Sequence, residues 1–442
     1  MRILIVGSGA REHAIAKAYS RSRSNPSLYC CATQNHPGIK PLTQGYWQGD
    51  LGSIDVMMDQ IRQWDIDLAI IGPEAPLEKG IVDALSQHDI PTVGPKKSLA
   101  KLETSKSFTR ELLRQYGIAG SPEFRSFQAL NGVMDFLKEL GEGRYVIKAD
   151  GLMGGKGVKV AGDHLHSFQE AYEFCTSLTQ AGQSFVIEEK LIGQEFSLLS
   201  FCDGEHLIPM PLVQDHKRAF VNDHGPNTGG MGSYSDANHR LPFITEADQL
   251  AAQAINQAVI QAIAEECGEK YQGILYGSFM ATRDGIKLIE YNARFGDPEV
   301  MNVLSILESD FTEICQSLVL GELTAEQVQF KPLATVCKYA VPLGYPDSPL
   351  VNSPIDIHQV KDPEHLYFGA INDVNGRYIA TGSRAVAVVG VAATLNEAEK
   401  IAEDEINRIQ GSLYHRDDIG KANLIQRRCD MMRELRSEPV TS

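Results

Sequence analysis

Residues 144–160, RYVIKADGLMGGKGVKV, restrict the fold more than any other stretch of the chain. Two short apolar runs rich in β-branched residues, at 145–147 and 158–160, flank a loop that holds Gly151, Gly154, Gly155 and Gly157. The pattern predicts strand, glycine loop, strand. Lys148 ends the first strand and Lys156 lies in the loop. Glycine lets backbone N–H groups approach an anion closely, and two ammonium groups nearby suit a polyphosphate. A plain glycine hairpin with solvated lysines is the other reading. Two commoner phosphate loops are excluded. A P-loop needs GxxxxGK, then Ser or Thr, and it opens a helix. Here the glycine spacing is one residue short, Gly157 follows Lys156, and the chain continues as strand. A dinucleotide-binding turn likewise needs a helix after its glycines.

A chain of 442 residues allows about two to four domains. No apolar run approaches the length that crosses a bilayer, and the run at residues 3–6 is too short for a signal peptide. No membrane partner is expected. The net charge of −16 argues against nucleic acid as a partner, and it means that an anionic substrate needs a locally basic cleft. Eight cysteines occur without a CxxC pair, which predicts buried thiols in a reducing, cytoplasmic setting rather than disulfides or a zinc site.

Residues 2–6 predict a strand of parallel type, then the turn Gly7-Ser-Gly-Ala-Arg-Glu-His13 and a helix. Glu12 stands where a dinucleotide fingerprint has its third glycine. The second strand, near residues 28–33, ends in Gln34-Asn35-His36 without the acid that grips a ribose, so nicotinamide dinucleotides are disfavoured. What remains is a helix N-terminus with Gly9, Arg11 and His13, suited to a phosphate, or a tight turn with a surface arginine. Residues 67–71 and 90–93 predict third and fourth strands. Alternating strands and helices predict a doubly wound parallel sheet with functional loops at its carboxyl edge, at 7–13, 34–38, 72–76 and 94–95. Residues 96–116 predict one long helix with Lys106 on its solvated face, and residues 117–122 a linker.

Residues 184–188 predict a strand that runs into Glu188-Glu-Lys-Leu-Ile-Gly193, and Glu195 opens another. A strand that ends in acids and turns at a glycine suits a hinge. Backbone groups there, around Lys190 and Leu191, can read an adenine edge, and Glu195 can accept ribose hydroxyls. A plain charged strand end is the alternative for Glu188 and Glu189. Residues 214–232, QDHKRAFVNDHGPNTGGMG, place Asp215, His216, Lys217 and Arg218 before a glycine-rich loop with Asn227 and Thr228. That is either a solvated loop or a functional one. Residues 245–267 predict a structural helix. Residues 274–282 and 286–292 predict paired strands in which alternation puts Glu290 and Asn292 on one face. Two oxygen donors suit Mg²⁺, which completes its sphere with phosphate and water; a polar strand end is the alternative. Arg294-Phe-Gly-Asp-Pro-Glu299 follows at once. Beyond about residue 329, strands at 335–341, 370–374, 380–384 and 385–391 and a helix at 396–409 predict a mixed α/β domain that closes over or supports the site.

In order along the chain, GSGAREHA, GPEAPLEKGIVDAL, VIKADGLMGGKGV, QDHKRAF, GPNTGGMGSYS and RFGDPE resemble the motifs of the phosphoribosylamine–glycine ligase family, also called glycinamide ribonucleotide synthetases. The likeness continues through YHRDDIG at 414–420. Two departures are visible: the family usually has glycine at Ala10 and alanines around Met153 and Gly154, and both changes keep small or flexible residues. The resemblance implies an α/β and α+β multidomain protein of the ATP-grasp superfamily. Its parts would be an N-terminal pre-ATP-grasp domain (1–117), an ATP-grasp lid (118–190), a central ATP-grasp domain (191–328) and a C-terminal domain (329–442). It implies ATP-dependent joining of glycine to phosphoribosylamine in de novo purine synthesis, through glycyl phosphate, with ADP and phosphate as products. Lys148, Lys156, Arg294, Asp215 and Lys217 would be catalytic. Lys106, Lys148, Gly154, Gly155, Lys156, Glu188, Lys190, Leu191 and Glu195 would hold ATP, and Glu290 and Asn292 would hold Mg²⁺ or Mn²⁺. Gly9 and Arg11 would grip the ribose phosphate. Asp215, Lys217, Asn227, Thr228, Arg294 and Asp297 would face the substrates. A monomer is expected, with weak self-association as the alternative. Rival readings are another ATP-grasp carboxylate–amine ligase, a silent nucleotide-binding regulator and, remotely, a dehydrogenase.

Overall fold

A computed structural model describes residues 1–153 and 157–437. Gly154, Gly155 and Lys156 lie outside the described residues, so their expected phosphate contacts have no structural counterpart here. The first sheet is all parallel, in the order Thr43–Gln48, Ser27–Ala32, Arg2–Val6, Leu68–Ile71, Thr92–Val93. Leu68–Ile71 is buried throughout, as expected of a parallel sheet covered on both faces. Strand order reverses between Arg2–Val6 and Leu68–Ile71, so the turns at 7–13 and 72–76 meet at the switch point, where such sheets carry ligands. The edge strand Thr43–Gln48 was not foreseen. Its sequence, TQGYWQ, lies half-exposed with no alternation to read.

The expected long helix at 96–116 is broken. Lys101–Thr104 and Lys106–Gln115 are separate helices, and Ser105 between them is extended, with φ −137° and ψ 111°. Ser105 Oγ then accepts from Phe108 N at 3.1 Å and caps the second helix. Asp150, at the end of a lid strand, accepts from Lys106 N at 2.6 Å and from Ser107 N at 3.3 Å. The break therefore creates a helix N-terminus on which the lid docks.

The lid is an antiparallel sheet in the order Phe124–Phe127, Phe185–Glu189, Tyr145–Ala149, Val158–Val160. Helices Val133–Leu140 and Phe168–Gln180 pack on it. Its core, with Phe127, Phe136, Tyr145 and Phe185, is separate from the one large core shared by the rest of the chain. A second antiparallel sheet follows, Leu207–Pro209, Gln194–Cys202, Gly273–Thr282, Gly285–Asn292. Helix Glu246–Cys267 packs on it, starting from a capping box of Thr245 and Asp248.

Gln214–Asp215 and Gly232–Ser235 do not join that sheet. They extend a C-terminal one through Ala334–Pro342, Val386–Ala392 and Leu366–Phe368. The strand expected at 380–384 is displaced: Arg377–Ala380 is strand, and residues 381–384 are loop. The C-terminal helix Ala422–Ser437 returns to the central sheet, where Arg436 grips Asp248 with two bonds of 2.9 and 2.8 Å. Among the described residues no helix is long and apolar enough to cross a membrane.

Candidate active site

Gly273–Thr282 and Gly285–Asn292 pair with a register slip: Glu290 faces Ser278 and Leu288 faces Phe279, which leaves Ile289 as the extra residue of a bulge. Its carbonyl is thereby free to accept from Lys148 Nζ at 2.9 Å and from Arg110 Nη2 at 2.8 Å. Past the bulge, Tyr291 is buried and bonds Asn256 Oδ1 at 2.9 Å, so Glu290 and Asn292 share the opposite face. Burial alone would raise the Glu290 carboxyl, but Lys217, Lys148 and Lys106 around it hold it below the ordinary carboxylate range. These lysines come from a central loop, a lid strand and the helix N-terminus created by the Ser105 break. Among the described residues, no cluster of three or more His, Cys, Asp or Glu side chains forms a metal cage. One carboxylate and one amide oxygen are nonetheless the few protein donors that Mg²⁺ uses beside phosphates.

Each lysine is positioned by a partner. Lys148 Nζ lies 2.8 Å from Glu188 Oε2, and Arg110 bonds both Glu188 oxygens at 2.7 and 3.0 Å. All three side chains are nearly inaccessible. Burial would raise the Glu188 carboxyl, yet its two cations hold it at about 2. Lys148, with this shared carboxylate, is still pulled below its ordinary value by burial. Glu188, expected at the adenosine end, has its carboxylate between Arg110 and Lys148. Lys106 is not on a solvated face, because its Nζ reaches Gly151 O at 2.9 Å. Lys217 pairs with Glu195, which also accepts from Ser278 Oγ at 3.0 Å. Burial would lower Lys217, but Glu195, Glu290 and Asp215 raise it, so it stays charged. At the expected hinge, Lys190 Nζ bonds Ala161 O at 2.6 Å, and Leu191 follows outside any strand.

Thr228 ties the glycine loop down, giving Lys217 O both its N–H at 2.7 Å and its hydroxyl at 2.9 Å. Asn227 is exposed at the end of the hairpin partnered with Arg218. Burial pushes the Asp215 carboxyl far up and nearby Glu299 adds to this, while Lys217 and Arg384 offset it only in part. Arg294 lies between two acids of the N-terminal region, with Nη2 2.9 Å from Glu103 and Nε 3.5 Å from Glu74. Asp297 Oδ1 accepts from Tyr339 at 2.6 Å and lies 3.1 Å from Arg384 Nη1.

The N-terminal turn differs from its expected role. The Glu12 carboxylate folds back onto Gly9 N at 2.5 Å and onto Arg11 Nε at 2.6 Å. It fills the mouth of the helix so closely that a Cβ on Gly72 would meet Glu12 Oε1 at 1.9 Å. The anion at this helix N-terminus is therefore the protein's own: Gly9 N and Arg11 Nε are taken up by Glu12, and Arg11 Nη1 reaches Phe295 O at 3.3 Å. Sequence reasoning missed Arg110, Glu103 and Arg384. Lone charges in unremarkable segments give no local signal, whereas Glu299 and Glu74 lay within motifs already singled out.

Models of three domains of phosphoribosylglycinamide synthetase match the chain: the N domain at residues 1–103, the ATP-grasp (A) domain at 104–300 and the C domain at 335–422. The chain belongs to the phosphoribosylglycinamide synthetase family. A phosphoribosylamine–glycine ligase of Methanosarcina barkeri is 46% identical, over 99% of this chain and all of that protein. One of Methanocaldococcus jannaschii is 45% identical, again over 99% of this chain and its own full length. The crystal structure of phosphoribosylamine–glycine ligase from Thermotoga maritima superposes with TM-score 0.80 at 25% identity, covering 95% of this chain and all of that one. The fold is shared more widely: a biotin carboxylase domain of Hydrogenobacter thermophilus, in complex with MgADP and bicarbonate, gives TM-score 0.69 at 13% identity, covering 98% of this chain and 93% of its own. The family is one of carbon–nitrogen ligases, and the ATP-grasp match spans the lid and the lysine-ringed carboxylate.

Proposed function

We propose that the chain joins glycine to phosphoribosylamine with conversion of ATP to ADP and phosphate, the glycinamide-forming step of purine synthesis. The observation that carries this reading is the convergence of Lys106, Lys148 and Lys217 on Glu290, with Asn292 beside it. Such a ring can neutralise a terminal phosphoryl group whose charge is spread over several oxygens. Glu290 and Asn292 fit Mg²⁺ or Mn²⁺, which when bound would add charge neutralisation there. Glu188 and Arg110 keep Lys148 aimed at the site. Lys190, Leu191 and Glu195 remain the candidates for the adenosine end.

A carboxylate acylates an amine only after activation. A glycine oxygen attacks the terminal phosphorus, the bond to ADP breaks, and glycyl phosphate forms. The amine of phosphoribosylamine then attacks the carbonyl carbon, and phosphate leaves. Asp215, Lys217, Thr228 and Asp297 are the candidates that face these substrates. Because the acyl phosphate hydrolyses readily, the lid must exclude water. The test is a product assay with purified protein. ADP release should depend on glycine and phosphoribosylamine together and match amide formed one for one. ADP formation that ignores either substrate, or release of AMP, would overturn the reading.

A further inference from the structure

With Gly9 N and Arg11 Nε taken up by Glu12, a further cation suits the doubly negative phosphate of a sugar-phosphate substrate. The substrate-side cations are mostly engaged at the edge a phosphate would use. Arg11 Nε is held by Glu12, Arg294 Nη2 by Glu103, and Arg218 Nη2 by Asp163. Arg384 differs. Its Nη1 alone serves the structure, donating to Gly229 O at 2.7 Å, Gly230 O at 3.2 Å and Asp297 O at 2.9 Å, beside the Asp297 carboxylate. Its plane is set by Tyr339, whose ring lies 4.7 Å from Cζ. Among the described residues, Nε and Nη2 have no protein partner.

Gly229, which is exposed, lies over the face of this guanidinium: a Cβ there would come within 3.0 Å of Cζ, 3.1 Å of Nη2 and 3.2 Å of Nε. The backbone at Gly229 is not left-handed, so its conformation does not call for glycine. Close packing of the loop on the guanidinium does. A fixed fork with two parallel N–H donors is the geometry that binds a phosphate in two-pronged fashion.

We propose that Arg384 receives the phosphate monoester of phosphoribosylamine through its Nε–H and Nη2–H edge, and that Gly229, by packing on the guanidinium face without a side chain, keeps that edge in place. This rests on the substrate reading above. The same fork could meet glycine's carboxylate, but that group has to reach the lysines around Glu290, whereas Arg384 is anchored to Gly229, Gly230 and Asp297.

The test is steady-state kinetics on wild type, Arg384→Lys and Gly229→Ala, with inorganic phosphate as a competing probe. Losing a charge-assisted pair should raise KM for phosphoribosylamine about 10- to 100-fold in Arg384→Lys. Gly229→Ala should raise it in the same direction with an unchanged melting temperature, which covers the case in which Arg384→Lys misfolds. KM for ATP and glycine should stay near wild type, and competition by inorganic phosphate should weaken in both variants. An unchanged KM for phosphoribosylamine in Gly229→Ala, or a rise confined to glycine, overturns the inference. Wild-type protein that makes no amide from phosphoribosylamine overturns the substrate reading beneath it instead.

Discussion

Glu290 sits where three lysines meet, and its charge is what they organise around. Glu290→Ala should lower ligation by at least about 10²–10³-fold, the usual loss for one preorganised electrostatic contact, with an unchanged circular-dichroism spectrum. Near-normal turnover at saturating Mg²⁺ would remove it from the metal site. Glu188 makes a different prediction. It is a buried carboxylate between two buried cations, so Glu188→Gln should destabilise the fold by about 3–5 kcal/mol. Its folded pKa, at about 2, lies below the ordinary value of 4.5. Its stabilisation is therefore complete above the ordinary value and is lost as pH falls toward 2. The stability gap between wild type and Glu188→Gln, from urea unfolding, should be smaller at pH 3 than at pH 6; a constant gap would contradict the pairing. Lys148, Glu290 and Asn292 were legible in the sequence because strand alternation and a glycine loop are local patterns. Arg110 and Arg384 were not, because what defines them is the residues they meet 78 and 87 positions away. Glu12 was noticed as a missing glycine, but only the folded turn shows it filling the anion position.

The lid hairpin was the most legible element, since its two strands and glycines lie within one short window. The break at Ser105 was not, because LETSKSFTR offers several Ser and Thr residues any of which could cap a helix, and the Asp150 contact that picks out Ser105 comes from far away in sequence. Asp150→Ala should cost about 0.5–2 kcal/mol, the usual loss of a helix cap, and should raise KM for ATP by loosening Lys106. A normal KM with the cap removed would separate Lys106 from nucleotide binding. The lid has a core of its own and meets the glycine-loop hairpin through Arg218 and Asp163. Amide exchange at 158–161 should slow when ATP and Mg²⁺ are added. Unchanged exchange under conditions of independently shown binding would count against closure over nucleotide.

Across the molecule, the expected C-terminal region at 329–442 is tied into the rest of the chain. Gly232–Ser235 of the central region pairs along Ala334–Pro342, and the last helix holds Asp248 through Arg436. Sequence order could not reveal this, because a strand lent to a distant sheet looks like any other strand. A chain cut after Gln329 should lose cooperative unfolding and solubility; a soluble 1–329 fragment that turns over ATP would refute that coupling. In a chain of net charge −16, the lysines and arginines of three regions are drawn to one cleft, as an ATP-dependent activation of a carboxylate requires. The central claim is that activation, and oxygen transfer tests it most directly. Glycine labelled with heavy oxygen in its carboxylate should yield one labelled inorganic phosphate for each amide formed, because the leaving phosphate carries off a glycine oxygen. Unlabelled phosphate alongside full amide formation would contradict the account.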